Sequence, residues 1–122
     1  MSREPLLFLE DIESSCAKII RFTADRERDE VFVDEMRFDA ILLNLQIIGE
    51  AVKKLPASLR DRYPQVEWRE IAGLRDFVAH AYFALDLAIL WSAIQAVPLL
   101  QDQIREILTR ERRQAGDAAS PR

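Results

Sequence analysis

Hydrophobic residues recur along this chain at helical spacing, and no segment shows the two-residue alternation of a half-buried strand. Leu9, Ile12, Cys16 and Ile19 or Ile20 follow one another by three and four residues, with Glu10, Glu13, Lys18 and Arg21 facing away and Pro5 at a position suited to a first helical turn. The run Ala24 to Glu30, ADRERDE, is dense in charge and carries no apolar period, so it reads as a solvated connection. A second helix is predicted from about Val33 to Leu55, ending before Pro56. It carries two apolar stripes. Met36, Ala40, Leu43, Ile47 and Ala51 form one, and Ile41, Leu45, Ile48 and Val52 form another, rotated by about 140°. A helix of this kind is expected to be buried on two sides.

Between the stripes lie Arg37 and Asn44, two turns apart. A buried amide or guanidinium without a partner costs about 1–3 kcal/mol, so both are candidates for lining an internal polar pocket. The alternative is that Asn44 caps a neighbouring loop and Arg37 reaches out to a salt bridge. Gly49, in mid-helix, costs about 1 kcal/mol relative to alanine and is expected to admit the close approach of another backbone.

Residues 56–64 read as a short helical turn and a bend. Trp68, Ile71, Leu74 and Val78 give a third helix whose pattern fails near His80, and Asp86 is a good N-cap for a fourth. That helix carries Leu87, Leu90, Trp91, Ile94 and Val97. Pro98 is expected to kink or restart it before Ile104 and Leu108 complete the stripe. From about Arg110 the chain turns polar. The resulting expectation is an all-α, up-and-down bundle of four to five helices over residues 1–110, with a flexible polar tail at 111–122.

Composition narrows the classes of function. At 122 residues the chain is one domain, and 49% apolar against 31% charged residues suits a compact helical globule. The formal charge of −4 argues against a general nucleic-acid binder that relies on overall positive charge. The single cysteine, Cys16, cannot close an intrachain disulfide, and Leu6 to Leu9 is too short for a secretory signal, so a reducing cytoplasm is the expected location. The longest uncharged stretch, Leu87 to Gln101, falls short of the roughly 20 apolar residues of a membrane span.

The candidate chemistry lies in Leu74-Arg75-Asp76-Phe77-Val78-Ala79-His80-Ala81-Tyr82: an arginine, a histidine five positions on, and a tyrosine two further. Alone the pattern is weak, because a single histidine near a helix end also serves as a dipole partner or a capped core residue. Asp76 and His80 share one helical face, which puts the carboxylate where it can orient the imidazole. Arg75 and His80 are about 140° apart on an ideal helix, so they converge only if the helix loosens at its end, expected at Ala79 to Phe83, or if the arginine curls round. No Cys/His/Asp cluster has metal-ligand spacing, so no metal or other cofactor is expected.

Three separated segments then carry a resemblance. Asn44-Leu45-Gln46-Ile47-Ile48-Gly49-Glu50-Ala51, Trp68-Arg69-Glu70-Ile71-Ala72-Gly73-Leu74-Arg75-Asp76, and His80-Ala81-Tyr82-Phe83 with Asp86-Leu87 and Trp91 resemble the successive signatures of HepT-like proteins of the HEPN superfamily, over about Pro5 to Ile107. The resemblance implies a helical HEPN fold, an Arg-x4-His-x-Tyr active motif at Arg75, His80 and Tyr82, and a toxin ribonuclease encoded beside a minimal nucleotidyltransferase antitoxin that adenylylates the motif tyrosine, here Tyr82. Many members have asparagine after the motif arginine; Asp76 instead adds negative charge where a phosphate would bind.

The residue types suit metal-free RNA cleavage, in which the ribose 2′-hydroxyl attacks the adjacent phosphorus. That reaction needs a base, an acid for the leaving 5′-oxygen, and cationic stabilisation of the phosphorane. His80 is the proton-transfer group and Arg75 the phosphate clamp, with Asp76, Tyr82, Asn44 and Arg37 as supporting residues. One histidine does not easily serve as base and acid in one turnover, whereas a twofold homodimer with the motif at its interface supplies two. The competing expectation is a non-catalytic HEPN subunit that docks a nucleotidyltransferase or holds a nucleotide, with His80 structural.

Overall fold

The computed structural model describes residues 4–81 and 86–119, and among these the chain is helical with no strand. The segments are α1 (Glu4–Thr23), α2 (Arg28–Val33), α3 (Glu35–Lys54), α4 (Ala57–Arg62), α5 (Trp68–Ala72), α6 (Leu74–Ala81) and α7 (Leu87–Ala119). The all-α bundle expected from the periodicity is present, with seven helical segments in place of four to five. α1 packs against both α3 and α7, and α3 also carries α2, α5 and α6. The core forms where Leu9, Ile12, Cys16 and Ile19 of α1 meet Ile41, Leu45, Ile48 and Val52 of α3 and Leu90, Ile94, Ile104 and Ile107 of α7. None of the described helices is long and apolar enough to cross a membrane.

Two of the added segments have local causes. Within the charged run, the Glu27 N–H donates to the Glu30 carboxylate at 2.9 Å, which closes the first turn of α2. Val31 is then fully buried, and Phe32 stacks edge-on against Phe38 and Trp91. The expected third helix is divided at Gly73, which ends α5 and leaves α6 as a separate two-turn piece. α3 starts at Asp34, whose carboxylate accepts from the Arg37 N–H and pairs with the Arg37 guanidinium. Those contacts, the backbone bond first, hold the Asp34 carboxyl below its ordinary range.

α7 departs from expectation twice. The Asp86 carboxylate accepts from the N–H groups of Ala88 and Ile89 at 3.0 and 3.1 Å, as an N-cap should. Pro98, however, does not restart the helix, which runs continuously for 33 residues. Pro98 is exposed, while Ile94, Val97, Leu100 and Ile104 on either side of it are buried. That burial offsets the one hydrogen bond that proline removes. Nor does the helix stop at Arg110: it continues to Ala119, so the polar segment expected as a tail from residue 111 begins as helix. Glu111 accepts from the Tyr63 hydroxyl at 2.6 Å and from Arg62 at 2.7 Å, and Arg112 pairs with Glu10 of α1. Trp68 closes the same corner by donating its indole N–H to the carbonyls of Tyr63 and Arg60.

The two-striped helix is fully buried on one stripe and open over part of the other, whose Ala51 is in the core while Ala40 and Ile47 are half-buried. Ile41, Leu45, Ile48 and Val52 are in the core, whereas Met36 is 85% and Leu43 56% exposed, with Val33 of α2 at 81% beside them in sequence. Among the described residues, Met36 and Leu43 of that stripe are left largely uncovered.

Candidate active site

The motif residues sit on α6, and α6 is set by its contact with α3. A Cβ built on Gly49 would lie 2.7 Å from the backbone nitrogen of Arg75 and 3.2 Å from the carbonyl oxygen of Ile71. The close approach expected at Gly49 is therefore made, and the backbone it admits is that of the motif arginine. Val78 anchors the other end of α6 in the core, leaving Arg75, Asp76 and His80 exposed.

Each motif side chain has an identifiable partner. Arg75 turns toward α3, its Nε 2.7 Å from the Glu50 carboxylate. Asp76 does the same, with its carboxylate 3.7 Å from Lys53 Nζ. The negative charge that Asp76 adds in place of the usual asparagine is thus faced by a lysine. His80 Nδ1 lies 2.7 Å from the backbone carbonyl oxygen of Asp76. Since a carbonyl only accepts, Nδ1 donates there, and the neutral imidazole carries its lone pair on Nε2. The histidine is oriented by the Asp76 main chain, one turn back, and not by the Asp76 carboxylate that the sequence pointed to, because Lys53 draws that carboxylate to α3.

The helix does not loosen before Ala81. Arg75 and His80 consequently stay about 140° apart around the α6 axis, and the arginine is held on the α3 side. Tyr82, with Phe83, lies outside the described residues.

Arg37 and Asn44 do not join this group. On α3 they are about 120–140° round from Gly49. Arg37 donates to the carbonyl of Phe22 at 2.6 Å and pairs with Asp34, so it ties the end of α1 to the start of α3. Asn44, 4% exposed, donates to the Ala40 carbonyl of its own helix and leaves its side-chain oxygen buried without a partner. Neither Arg37 nor Asn44 lines either of the two grooves described below, and Arg37 takes the salt bridge that was the alternative expectation for it.

Two grooves among the described residues lie away from the motif. One of about 460 Å³ between α5, α6 and the first half of α7 is lined by Ile71, Leu74, Ile89, Val97 and Leu100 with Glu67 and Glu70 at its edge. Another, of about 310 Å³, lies between α1 and α7 around Glu10, Glu13, Arg105 and Arg112. Arg75 and His80 line neither. Cys16 is no alternative nucleophile, since burial first, and then Glu13, pushes its thiol up to about 12. Among the described residues, no three His, Cys, Asp or Glu side chains come together as metal ligands.

The arrangement of Gly49, Glu50, Arg75 and His80 falls within a match to the family model described as ribonuclease HepT-like, which covers residues 12–107. The chain belongs to the HepT-like ribonuclease family. Among its HepT-like relatives, a protein of Caldanaerobacter subterraneus subsp. tengcongensis named "Putative RNase" is 36% identical over 90% of this chain and 99% of its own length. A "Probable ribonuclease HepT" of Thermococcus cleftensis is 32% identical over 88% of this chain and 98% of its own. The "Gamma-glutamylcyclotransferase and putative RNase" of Methanocaldococcus jannaschii is 32% identical over 88% of this chain, which spans about half, 49%, of that relative. No solved structure matches the chain.

Glu50 and Lys53 are the site residues that sequence reasoning passed over. Both lie in or just beyond the Asn44–Ala51 signature, and their signal was the opposite charge of Arg75 and Asp76 in the next signature.

Proposed function

We propose that this HepT-like chain is a metal-independent RNA endonuclease, the toxin of a toxin–antitoxin pair, working in the cytoplasm as a homodimer. The observation that carries the reading is the placement of Arg75 and His80 on one short exposed helix, with His80 held by the Asp76 carbonyl in the tautomer that leaves the Nε2 lone pair for proton abstraction. The family and the RNase names of the relatives support it. In the reaction, one His80 takes the proton of the ribose 2′-hydroxyl, whose oxygen bonds to phosphorus. The P–O5′ bond then breaks, and the His80 imidazolium of the second copy protonates the leaving oxygen. Arg75 donates to the non-bridging oxygens as charge accumulates on them. The products are a 2′,3′-cyclic phosphate and a 5′-hydroxyl.

What supports a second copy is the roughly 140° that separates Arg75 from His80 on α6, which is helical through Ala81. The uncovered Val33, Met36 and Leu43 provide apolar surface for association. Incubation of the purified protein with total RNA in EDTA is expected to yield 2′,3′-cyclic phosphate ends. Ends bearing 3′-hydroxyl and 5′-phosphate, or a requirement for added divalent metal, would refute the mechanism.

The antidote is adenylylation of Tyr82 by a minimal nucleotidyltransferase: the phenol oxygen attacks the α-phosphorus of ATP, and pyrophosphate leaves. The added phosphate would offset part of the positive charge of Arg75 and His80, and the adenosine would obstruct RNA. Tyr82→Phe is expected to keep its toxicity when the partner enzyme is co-expressed; full silencing of that variant would mean neutralisation by binding alone.

One observation favours a different reading, a non-catalytic subunit that docks the nucleotidyltransferase or holds a nucleotide: Arg75 is already engaged by Glu50. Induction in cells separates the two. Growth arrest by the wild type and not by His80→Ala supports the nuclease, and harmlessness of both supports the binding subunit.

A further inference from the structure

Arg75 is fixed at both ends by two consecutive residues of α3. Gly49 lies against its backbone nitrogen, where a methyl group would come within 2.7 Å, and Glu50 holds its guanidinium at 2.7 Å through Nε. One turn further along α3, Lys53 meets Asp76, so the charges of α3 and α6 alternate in complementary order. The Glu50–Arg75 pair is half exposed, 40% and 49%, and pairs so open to water contribute little to stability. Its geometry is more informative than its energy. Nε is the guanidinium atom nearest the Glu50 carboxylate, in an ion pair without an aligned N–H···O hydrogen bond, so the terminal Nη1–Nη2 edge, which can bind a phosphate in a fork, is left for a second anion. Without Glu50, a long arginine side chain on an exposed helix would sample several rotamers, and a clamp displaced by even about 1 Å loses much of its effect.

We infer that Glu50 is a positioning residue: it orients Arg75 so that the Nη1–Nη2 edge faces the scissile phosphate of RNA. This rests on the ribonuclease reading for its consequence, though not for the orientation itself. Two measurements therefore test it. In RNA cleavage by the full-length protein, Glu50→Ala is expected to lower kcat by about 10- to 100-fold with KM changed less than about threefold. Glu50→Gln, which keeps an acceptor oxygen and the side-chain shape, should fall between Glu50→Ala and wild type. In an Arg75→Ala background, Glu50→Ala should cost nothing further, as expected for residues acting as one unit. Glu106→Gln, which breaks an exposed pair with Arg110 on α7, should leave cleavage unchanged.

An unchanged kcat with a lower KM would overturn the inference, since Glu50 would then be a competitor for the phosphate. So would a loss that adds to that of Arg75→Ala. The second measurement is the NMR signal of the Arg75 Nε–H group, recorded at low temperature and assigned through Arg75→Lys. Its relaxation should report an ordered group in the wild type and a mobile one in Glu50→Gln, which replaces the charged carboxylate by a neutral amide of the same shape. If the wild type cuts no RNA, the ribonuclease reading fails and this signal alone decides the orientation: a resonance indifferent to Glu50→Gln overturns it.

Discussion

His80→Ala is expected to lower RNA cleavage by about 10²- to 10⁴-fold, the range over which general acid–base groups act, while the unfolding midpoint stays near that of wild type. The side chain is exposed and its hydrogen bond to the Asp76 carbonyl lies at the surface, so breaking that bond leaves no buried group unpaired. Subunit mixing sharpens the result. If each cleft needs His80 from both copies, diluting wild-type subunits with an equal amount of His80→Ala should leave roughly one quarter of the activity, because only dimers with two intact subunits work. If each chain cuts by itself, roughly half should remain. A linear fall with dilution would sink the composite site while sparing the role of His80. Full activity in His80→Ala would sink both.

Gly49→Ala is the second large effect, and here two terms oppose each other. Alanine in a helix interior is favoured over glycine by about 1 kcal/mol. Against that, the new methyl group would sit 2.7 Å from the Arg75 nitrogen and 3.2 Å from the Ile71 oxygen. Both are backbone atoms, so neither can turn aside as a side chain could. α3 and α6 must separate, and overpacking of this kind costs about 1–3 kcal/mol. The net expectation is a loss of about 1 kcal/mol in stability, with a larger loss for Gly49→Val. Cleavage should drop further than stability, because the atom displaced belongs to the residue that clamps the phosphate. Denaturant unfolding and kcat measured on the same preparations check this. A stabilised, fully active Gly49→Ala would show that the two helices approach less closely than described.

Gly49 also shows where sequence and structure divide the information. A mid-helix glycine that costs propensity signals a close approach, but it does not name the backbone that approaches. That this backbone is Arg75's depends on the register between α3 and α6, which joins residues 26 apart in the chain. Glu50 and Lys53 were overlooked for the same reason, since their charges are ordinary until the register sets them opposite Arg75 and Asp76. Arg37 and Asn44 erred in the other direction. Their angular position between two apolar stripes was correct as helix geometry, but the second stripe is open at Met36 and Leu43, and Arg37 takes the alternative expected for it, a salt bridge, with Asp34, besides its bond to the carbonyl of Phe22.

Hydrophobic period, caps and breakers are properties of neighbours in the chain, and through them the sequence by itself determined that the protein is all-helical. It also determined that α1 spans the first core stripe and that Asp86 opens α7, and it singled out Arg75, Asp76 and His80 as candidates. Tertiary packing decided the rest. It seated α2, which the Glu27–Glu30 cap starts at the end of the charged run, by burying Val31, and carried α7 across Pro98 on the burial of Ile94, Val97 and Ile104. It gave Arg75 to Glu50 and Asp76 to Lys53, leaving His80 to be oriented by a main-chain carbonyl. Which partner a charge finds depends on distances between helices, and no local pattern records those.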